Sequence, residues 1–448
     1  MLKATGADPL RLLLLSFAAL IVTGTLLLML PAATPPDSPI GLIDAFFTAT
    51  SATCVTGLVV RDTGAGFTTF GQVVILCLIQ LGGLGIMTFS LMLMGVLGRR
   101  VPLVYRSLVL QTLASNEDRA EFRPLLRTVL KFTLATETIG AALLFARWQP
   151  EMGTAAAAYA AVFHSISAFC NAGFSLWSDS ISGWRGDAMT NFVMCALIVL
   201  GGLGFLTVHE VISSRGRSRA MSVHTRLVLY TTGVLIVGGA AAFWMLESNG
   251  VLSEMSGGES LLVSMFQSVT CRTAGFNTID FALLAPATLF VMILLMGVGG
   301  SPGSCAGGLK TTTLAVLALA VWNRLHGRTR TNVFNRTLPT GSVSGALTLA
   351  AAAVAVMIAG LFLLLLLEPV EVVDRHGVFM GYFFEIVSAL GTVGLSTGVT
   401  PELQPASRVL VAVLMFVGRV GTLTVAGSLV KENPDADWQY PEEEVMIG

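Results

Sequence analysis

Charged residues are scarce in this chain. Only 12% of its 448 residues are Asp, Glu, Lys or Arg, whereas 54% are hydrophobic and the mean hydropathy is +0.78. A soluble domain carries roughly 25% charged residues. Low charge combined with long apolar segments is typical of a helical protein that crosses a lipid bilayer several times. The net charge of −1 gives no overall basis for binding nucleic acid.

The side chains that usually perform enzyme chemistry are also scarce. The chain has five His and six Cys, without a C-x-x-C pair, so neither a disulfide framework nor a zinc site is predicted. Ser301 and Ser304 superficially suggest an intramembrane serine nucleophile, but no His recurs at a spacing that suggests its base. We therefore expect no enzyme, with an intramembrane hydrolase as the remote alternative.

The chain does contain four short apolar segments that each end at a glycine. The last of them, 384–395, includes Gly391-Thr392-Val393-Gly394. A membrane-spanning helix needs about 20 apolar residues, whereas a run of 10–14 is typical of a buried or re-entrant segment. Non-helical backbone at membrane depth is tolerated only where it is buried in protein or lines a watery cavity. The four terminal glycines are Gly57, Gly173, Gly275 and Gly394.

Two patterns recur around these glycines. Phe47, Phe163 and Phe384 each stand ten residues before a glycine, and a pair of small residues stands between the Phe and the glycine. Met265, ten residues before Gly275, begins a looser fourth copy. This recurrence predicts four repeats, each a span, a short helix, an extended loop and a second span. Four unrelated loops in a glycine-rich protein, or the inverted repeats of a secondary transporter, are the alternatives. The second pattern, Gly-x-Leu-Gly or Gly-x-Val-Gly, follows at 82–85, 201–204 and 418–421.

The predicted fold is an all-α polytopic membrane protein in which four repeats surround one central pore. It has eight full spans and four re-entrant loops. The second span of repeat 3 is expected to be broken at 297–308, because this segment is rich in Gly and contains Pro302. The expected repeats are 1–98, 125–214, 226–322 and 341–431, with cytoplasmic segments at 99–124, 215–225, 323–340 and 432–448.

The orientation follows from the basic residues. Most of the 26 Lys and Arg residues precede the first span or lie in the segments expected to be cytoplasmic. Both termini are therefore expected in the cytoplasm. The protein is expected in the inner (cytoplasmic) membrane. Three basic residues, Arg272, Lys310 and Arg419, lie at membrane depth, where ionisable groups are costly and are candidates for function.

The chemistry is expected at the glycine loops. Rows of backbone carbonyls replace the hydration shell of a monovalent cation, and the partially negative C-terminal ends of the short helices favour a cation. Glycine permits the positive φ that turns successive carbonyls to one side. The candidate filter residues are Cys54, Val55, Thr56, Gly57, Cys170, Asn171, Ala172, Gly173, Thr273, Ala274, Gly275, Thr392, Val393 and Gly394.

Cysteines lie close to three of the filter glycines. Cys54, Cys170 and Cys271 precede them by three or four residues. Small packing residues behind the filter are favoured here over a metal site.

A gate is expected at the broken span, where a static kink is the alternative. Arg419 occupies the position of Gly83 and Gly202 in the recurring pattern, so it is expected to project toward the same axis. It either repels or gates ions there, or forms a salt bridge with Glu385 or Glu137. Arg272 is expected to brace its loop and Lys310 to pin the broken helix. The candidate gate residues are Gly299, Gly300, Ser301, Pro302, Gly303, Ser304 and Arg419.

The four loop sequences together resemble one known family. Ser-Ala-Thr-Cys-Val-Thr-Gly-Leu at 51–58, Phe-Cys-Asn-Ala-Gly-Phe at 169–174, Cys-Arg-Thr-Ala-Gly-Phe at 271–276 and Gly-Thr-Val-Gly-Leu-Ser at 391–396 are similar to the filters of the Trk/Ktr/HKT superfamily of potassium transporters. The resemblance extends over the whole chain. Because no extra pair of spans precedes repeat 1, we expect the bacterial Ktr membrane subunit to be the most similar branch.

This resemblance implies a function and an assembly. It implies sodium-stimulated potassium uptake, with K⁺ at the carbonyls near the four glycines. The alternative is transport of sodium, or of monovalent cations with less selectivity. Glycine rather than serine at Gly57 is associated with preference for potassium. The family's gating loop corresponds to 297–308 and its pore arginine to Arg419. A homodimer with one pore per protomer is implied, resting on a cytosolic ring of RCK-type subunits. Those subunits bind nucleotides, whereas this chain is expected to bind none.

Overall fold

A computed structural model of the chain describes residues 9–96, 122–218, 221–368 and 375–421. The predicted cytoplasmic segment 99–124 lies outside the described residues except at its end, and the predicted tail 432–448 lies outside them entirely. The described part is almost wholly helical. Its two strands have two residues each and form a hairpin, in which β1 (Asn332–Val333) pairs antiparallel with β2 (Arg336–Thr337).

Fifteen α-helices are described, and they confirm the all-α fold class. In chain order they are α1 Pro9–Leu28, α2 Leu42–Thr53, α3 Thr63–Gly66, α4 Thr69–Val96, α5 Phe122–Met152, α6 Thr154–Phe169, α7 Ala188–Leu203, α8 Phe205–Ser213, α9 Val223–Glu247, α10 Gly257–Thr270, α11 Pro286–Met296, α12 Thr311–Leu325, α13 Thr340–Leu367, α14 Arg375–Gly391 and α15 Pro405–Val420.

Local sequence explains where several of these helices begin. Helix α7 starts at an Asp187 cap whose carboxylate accepts from the Thr190 amide, and α10 starts at Ser256, whose hydroxyl accepts from the Glu259 amide. Such side chains satisfy amides that have no partner within the first helical turn. Helices α11 and α15 begin with Pro286 and Pro405, since proline at the first helical position removes an amide that would be unpaired there.

The described helices test the number of spans only in part. Three of them are long and apolar enough to cross a membrane alone: Arg127–Met152, Val223–Glu247 and Thr340–Leu367. Helices α7 and α8 make a fourth if they count as one bent span. Six further apolar helices of the described part are shorter. The eight full spans therefore stay a prediction.

The helices pack in four sets of three. Helices α1, α2 and α4 contact one another, as do α5, α6 and α7, and as do α13, α14 and α15, while α9 contacts both α10 and α11. Between sets, α4 contacts α6, α7 contacts α10, α11 contacts α14, and α15 contacts α2. Each set thus contacts the short helix of the next, and the fourth set contacts the first, so the contacts close into a ring.

One break in the helices differs from the expected course of the chain. The second span of repeat 2 is expected to be continuous, but the structure bends by 98° between α7 and α8. The bend lies at Gly204, which has a φ of +76°. A Cβ at this position would lie 2.9 Å from the carbonyl oxygen of Gly303, so the bend makes room for the segment between α11 and α12.

Candidate ion pathway

The four glycine loops share one backbone pattern. In each loop the glycine and the residue two positions before it have positive φ. Positive φ in a non-glycine residue is uncommon and marks a backbone that its surroundings constrain. Alternating left-handed residues turn successive carbonyls toward the same side of the chain. The pairs are Val55 and Gly57 (55° and 98°), Asn171 and Gly173 (60° and 71°), Thr273 and Gly275 (66° and 79°), and Thr392 and Gly394 (51° and 88°).

The four glycines lie against one another. A Cβ on Gly57 would lie 3.0 Å from the Gly173 Cα, and one on Gly173 would lie 2.8 Å from the Gly275 Cα. A Cβ on Gly275 would lie 3.3 Å from the Gly394 Cα, and one on Gly394 would lie 2.9 Å from the Gly57 Cα. The structure therefore brings together the four candidate filter loops, in chain order around one axis, and leaves no space for a side chain at the glycines.

Hydroxyl groups from the short helices brace two of these loops at the glycine amide. The Ser51 hydroxyl accepts a hydrogen bond from the Gly57 amide at 3.1 Å, and the Ser388 hydroxyl accepts one from the Gly394 amide at 3.1 Å. All four residues are buried. These two hydrogen bonds use the amides of the glycines and not their carbonyls.

The other two loops have the same brace with the opposite polarity. The Ser167 hydroxyl donates to the Phe174 carbonyl at 2.8 Å, and the Thr270 hydroxyl donates to the Phe276 carbonyl at 2.6 Å. Both carbonyls belong to the residue after the loop glycine. The small residue pair of the sequence pattern thus has a structural role that the spacing did not reveal, because hydrogen-bond direction depends on the loop conformation.

A cavity opens on one side of the glycine ring. Its volume is about 270 Å³, and all four glycines contribute to its wall. Asp62 and Asp280 also line it. The Asp62 carboxylate accepts a hydrogen bond from the Ala65 amide at 2.6 Å, and the Asp280 carboxylate accepts one from the Ala282 amide at 2.9 Å. Two carboxylates in its wall make the cavity attractive to cations.

The segment 297–310 between α11 and α12 lies against the candidate filter loops; we call it the intramembrane loop. Its ends are joined by a bridge between Val298 and Leu309. A Cβ on Gly299 would lie 3.2 Å from the Thr273 side chain, and one on Gly308 would lie 3.1 Å from the Gly391 carbonyl oxygen. The loop therefore contacts the third and fourth glycine loops on their helix side.

The intramembrane loop is hydrogen-bonded to the end of α7. The Ser301 amide donates to the Gly202 carbonyl at 2.9 Å, and the Cys305 amide donates to the Gly201 carbonyl at 3.1 Å. The Ser301 hydroxyl donates to the Leu203 carbonyl. These are carbonyls that lose their helical partners because α7 ends at Leu203. The Gly-Gly-Leu-Gly pattern of repeat 2 is therefore the docking point of the candidate gate, which its recurrence alone did not indicate.

Arg419 joins the same loop to α4. Its guanidinium donates to the Cys305 carbonyl and, at 2.9 Å, to the Gly82 carbonyl. The side chain is buried, and within the described residues no carboxylate lies in salt-bridge range of it. Neither carboxylate of the salt-bridge alternative is its partner: Glu385 accepts from Thr397 and Thr400 beyond the fourth loop, and Glu137 accepts from Gln80.

The other two basic residues at membrane depth also donate to backbone carbonyls of the intramembrane loop. The Arg272 guanidinium lies 3.3 Å from the Gly299 oxygen, and the Lys310 ammonium lies 2.7 Å from the Ala306 oxygen. Three cations thus hold one irregular segment in place. Of the candidate gate residues, Ser301 and Gly303, which flank Pro302, lie beside Gly204. Ser304 donates its hydroxyl to the Ser301 carbonyl at 2.6 Å.

Comparison with known proteins gives one family. The chain matches the TrkH family of cation transport proteins over residues 8–440. It is 37% identical to the Ktr system potassium uptake protein B of Vibrio alginolyticus, covering 100% of this chain and 96% of that protein. The protein of the same name from Bacillus subtilis is 39% identical, with coverage of 100% and 98%. The potassium/sodium uptake protein NtpJ of Enterococcus hirae is 36% identical, with coverage of 98% and 97%.

A solved structure has the same fold. The crystal structure of the potassium transporter TrkH from Vibrio parahaemolyticus superposes with a TM-score of 0.74 at 19% identity, covering 94% of this chain and 85% of that one. These proteins are transporters, so the expectation that the chain is not an enzyme is confirmed, as is the resemblance to the Trk/Ktr/HKT superfamily. The chain belongs to the TrkH family of cation transport proteins and is a membrane protein.

Proposed function

We propose that the chain takes up potassium through the ring of Gly57, Gly173, Gly275 and Gly394. The observation that supports this most directly is the alternation of left-handed residues in all four loops around one axis. This backbone supplies several carbonyl oxygens to one ion without any fixed negative charge, which suits a dehydrated monovalent cation. The names of two relatives, both potassium uptake proteins, point to K⁺ as that cation.

Sodium is the second candidate for the transported ion. It is supported by the relative from Enterococcus hirae, whose name includes both potassium and sodium. Because position 57 is a glycine, the first loop approaches its neighbour as closely as the other three loops approach theirs. The four loops can therefore surround an ion at similar distances, and we take this to favour potassium. We propose potassium as the transported ion and sodium as an activator, with K⁺ bound at the carbonyls near the four glycines.

The intramembrane loop is proposed to act as the gate. It lies against the third and fourth glycine loops, and it is held by backbone bonds to α7 and by Arg419. To open, the loop would have to break these hydrogen bonds. The amides and carbonyls that they join would then be left without partners at membrane depth. Each such bond contributes about 0.5–1.5 kcal/mol, and those from charged donors about 1.5–3 kcal/mol. A closed gate is therefore stable without further help.

Regulation is proposed to come from a separate subunit. Two relatives are each named protein B of a Ktr system, which implies another component. We propose that this component is a cytosolic ring of RCK-type subunits that binds the nucleotide, that this chain binds none, and that it acts as a homodimer in the inner membrane with both termini in the cytoplasm. The four repeats around a single pore are part of the same proposal.

Growth of a potassium-uptake-deficient bacterium tests this function. The chain is expected to restore growth at low external potassium when a Ktr-type nucleotide-binding subunit is co-expressed, and to do so poorly alone. The subunit without the chain is the control, and growth at high potassium checks viability. If the chain reaches the membrane but restores growth in neither case, potassium uptake is the wrong assignment, and sodium flux should then be measured.

Gly57→Ser is expected to reduce the preference for K⁺ over Na⁺. The backbone at Gly57 is left-handed, and a Cβ there would lie 2.5 Å from the Ala172 carbonyl oxygen, so the first two loops must shift. Uptake of K⁺ and Na⁺ in proteoliposomes measures the ratio. Gly41→Ser is the control, since a Cβ at Gly41 has no atom within 4 Å. An unchanged ratio in Gly57→Ser would contradict the filter assignment.

Ser388→Ala is expected to disturb the fourth loop without disturbing its helix. It leaves the buried Gly394 amide without its acceptor, which costs about 1–3 kcal/mol. We expect lower K⁺ selectivity and a modest loss of thermal stability. Ser407→Ala is the matched control, because the Ser407 hydroxyl is equally buried and has no hydrogen-bond partner among the described residues. Equal selectivity in the two variants would show that the brace does not shape the filter.

Arg419→Met is expected to raise the flux. The variant removes two charge-assisted bonds that hold the intramembrane loop to α4 and α15. Since each is worth about 1.5–3 kcal/mol and 1.4 kcal/mol is tenfold, the open state should gain about tenfold or more. Ion flux into proteoliposomes, without the regulatory subunit, measures this gain. The control is Arg324→Met, at an exposed site in the last turn of α12. Flux that falls or stays constant would oppose a gating role.

A further inference from the structure

Two thiols meet where the intramembrane loop contacts the second short helix. Cys170 follows α6, Cys305 lies in the intramembrane loop, and both are buried. The two thiols are close enough to interact with each other. The Cys170 thiol donates to the Gln80 side-chain oxygen at 3.5 Å, and the Cys305 thiol donates to the Gly83 carbonyl at 3.9 Å. Gly83 of α4 forms the floor of this contact, since a Cβ there would lie 2.8 Å from the Cys170 sulfur and 3.8 Å from the Cys305 sulfur.

We propose that Cys170 and Cys305 form a binding site for a soft monovalent cation of the Ag⁺ or Cu⁺ type. Thiolates select soft metals, and such ions accept two sulfur ligands in a linear arrangement, so no third protein ligand is needed. Two metal–sulfur bonds form and two S–H bonds break. The two protons pass to water, and neither the metal nor the sulfur changes its oxidation state.

The charges around the thiols favour such a complex. A monovalent metal with two thiolates has a net charge of −1. Arg419 and Lys310 are both close enough to Cys305 to interact with it electrostatically, and each would stabilise that charge. The carboxylate of Glu137 would destabilise the negative complex, but it is one negative group against two positive ones. K⁺ and Na⁺ are hard ions that prefer oxygen ligands, so the transported ion does not compete for this site.

The site is specific to one repeat. Cys54 and Cys271 follow α2 and α10 at the position that Cys170 has after α6. In the described part of the chain, Cys170 is the member of this set that has a second thiol against it, because the intramembrane loop brings Cys305 to the second short helix alone. Cys271 is therefore a matched control for burial and position without a facing thiol.

Occupancy of the site is expected to stop transport. The metal would connect the intramembrane loop to α6 by two strong bonds, in addition to the loop's existing bonds to α7. This consequence rests on the proposed gating function of the loop, whereas the binding site itself does not. Binding and flux are therefore measured separately.

The binding experiment uses Ag⁺ with the purified, fully reduced protein in chloride-free buffer. Equilibrium dialysis and metal analysis are expected to count one fewer bound Ag⁺ per chain in Cys170→Ala, in Cys305→Ala and in the double variant than in the unmodified protein. Cys271→Ala should retain that ion. If Cys170→Ala is not recovered from the membrane, Cys170→Ser or Gly83→Ala, which places a Cβ against the Cys170 sulfur, takes its place.

The flux experiment compares Ag⁺ inhibition of K⁺ uptake, with each variant normalised to its own uptake without Ag⁺. Because the second thiol binds as an intramolecular ligand, losing either one should raise the half-inhibiting Ag⁺ concentration by about tenfold or more. The double variant should be no more resistant than the single ones, which is the signature of one shared ion. Cys271→Ala should be inhibited like the unmodified protein.

The outcomes separate the two ideas. Equal Ag⁺ binding in the double variant and the unmodified protein, or additive resistance of the two single variants, would overturn the two-thiol site. Loss of one bound Ag⁺ from the variants with uninhibited uptake in the unmodified protein would support the site and contradict gating by the loop. Inhibition that disappears only in Cys271→Ala would assign the effect to a different thiol.

Discussion

The contact between Gly57, Gly173, Gly275 and Gly394 is the constraint on which the rest of this structure depends. The four backbones approach so closely that a Cβ on any of them would lie about 3 Å from its neighbour's Cα. Hydroxyl groups at the ends of the short helices hold the loops, in which the glycines and the residues two positions earlier have left-handed φ. The short helices are held in turn by the second helix of the preceding set, around a closed ring.

Backbone satisfaction at membrane depth explains the position of the intramembrane loop. An irregular segment there needs partners for its amides and carbonyls, and the end of α7 needs partners for its last carbonyls. The structure meets both needs at once, since Ser301 and Cys305 donate to Gly202 and Gly201. If the loop moved away from α7, amides of the loop and carbonyls of α7 would both lose their hydrogen-bond partners. Movement of the loop therefore needs a source of free energy, which the proposed separate subunit would supply.

Sequence spacing predicted the elements but not their mutual contacts. The sequence predicts a break in the second span of repeat 3 at 297–308, and the helices are interrupted there, between Met296 and Thr311. The bend at Gly204 could not be predicted, because the same pattern in repeat 1 stays helical at Gly85. The difference arises from the approach of Gly303, which is distant in sequence. For the same reason, the sequence offers Glu385 and Glu137 as possible salt-bridge partners of Arg419, whereas its partners are carbonyls whose availability depends on tertiary structure.

The four glycine loops belong to one chain, and this permits an asymmetry that loops from four identical subunits cannot have. The braces of the first and fourth loops accept a hydrogen bond, whereas those of the second and third donate one. Arg419 occurs once, where repeats 1 and 2 have glycine. In a tetramer of identical subunits an equivalent arginine would occur four times around the axis, and their mutual repulsion at low dielectric would be severe. A single arginine and a single intramembrane loop can instead hold each other, because α4 and α7 supply the glycines and carbonyls against which both pack.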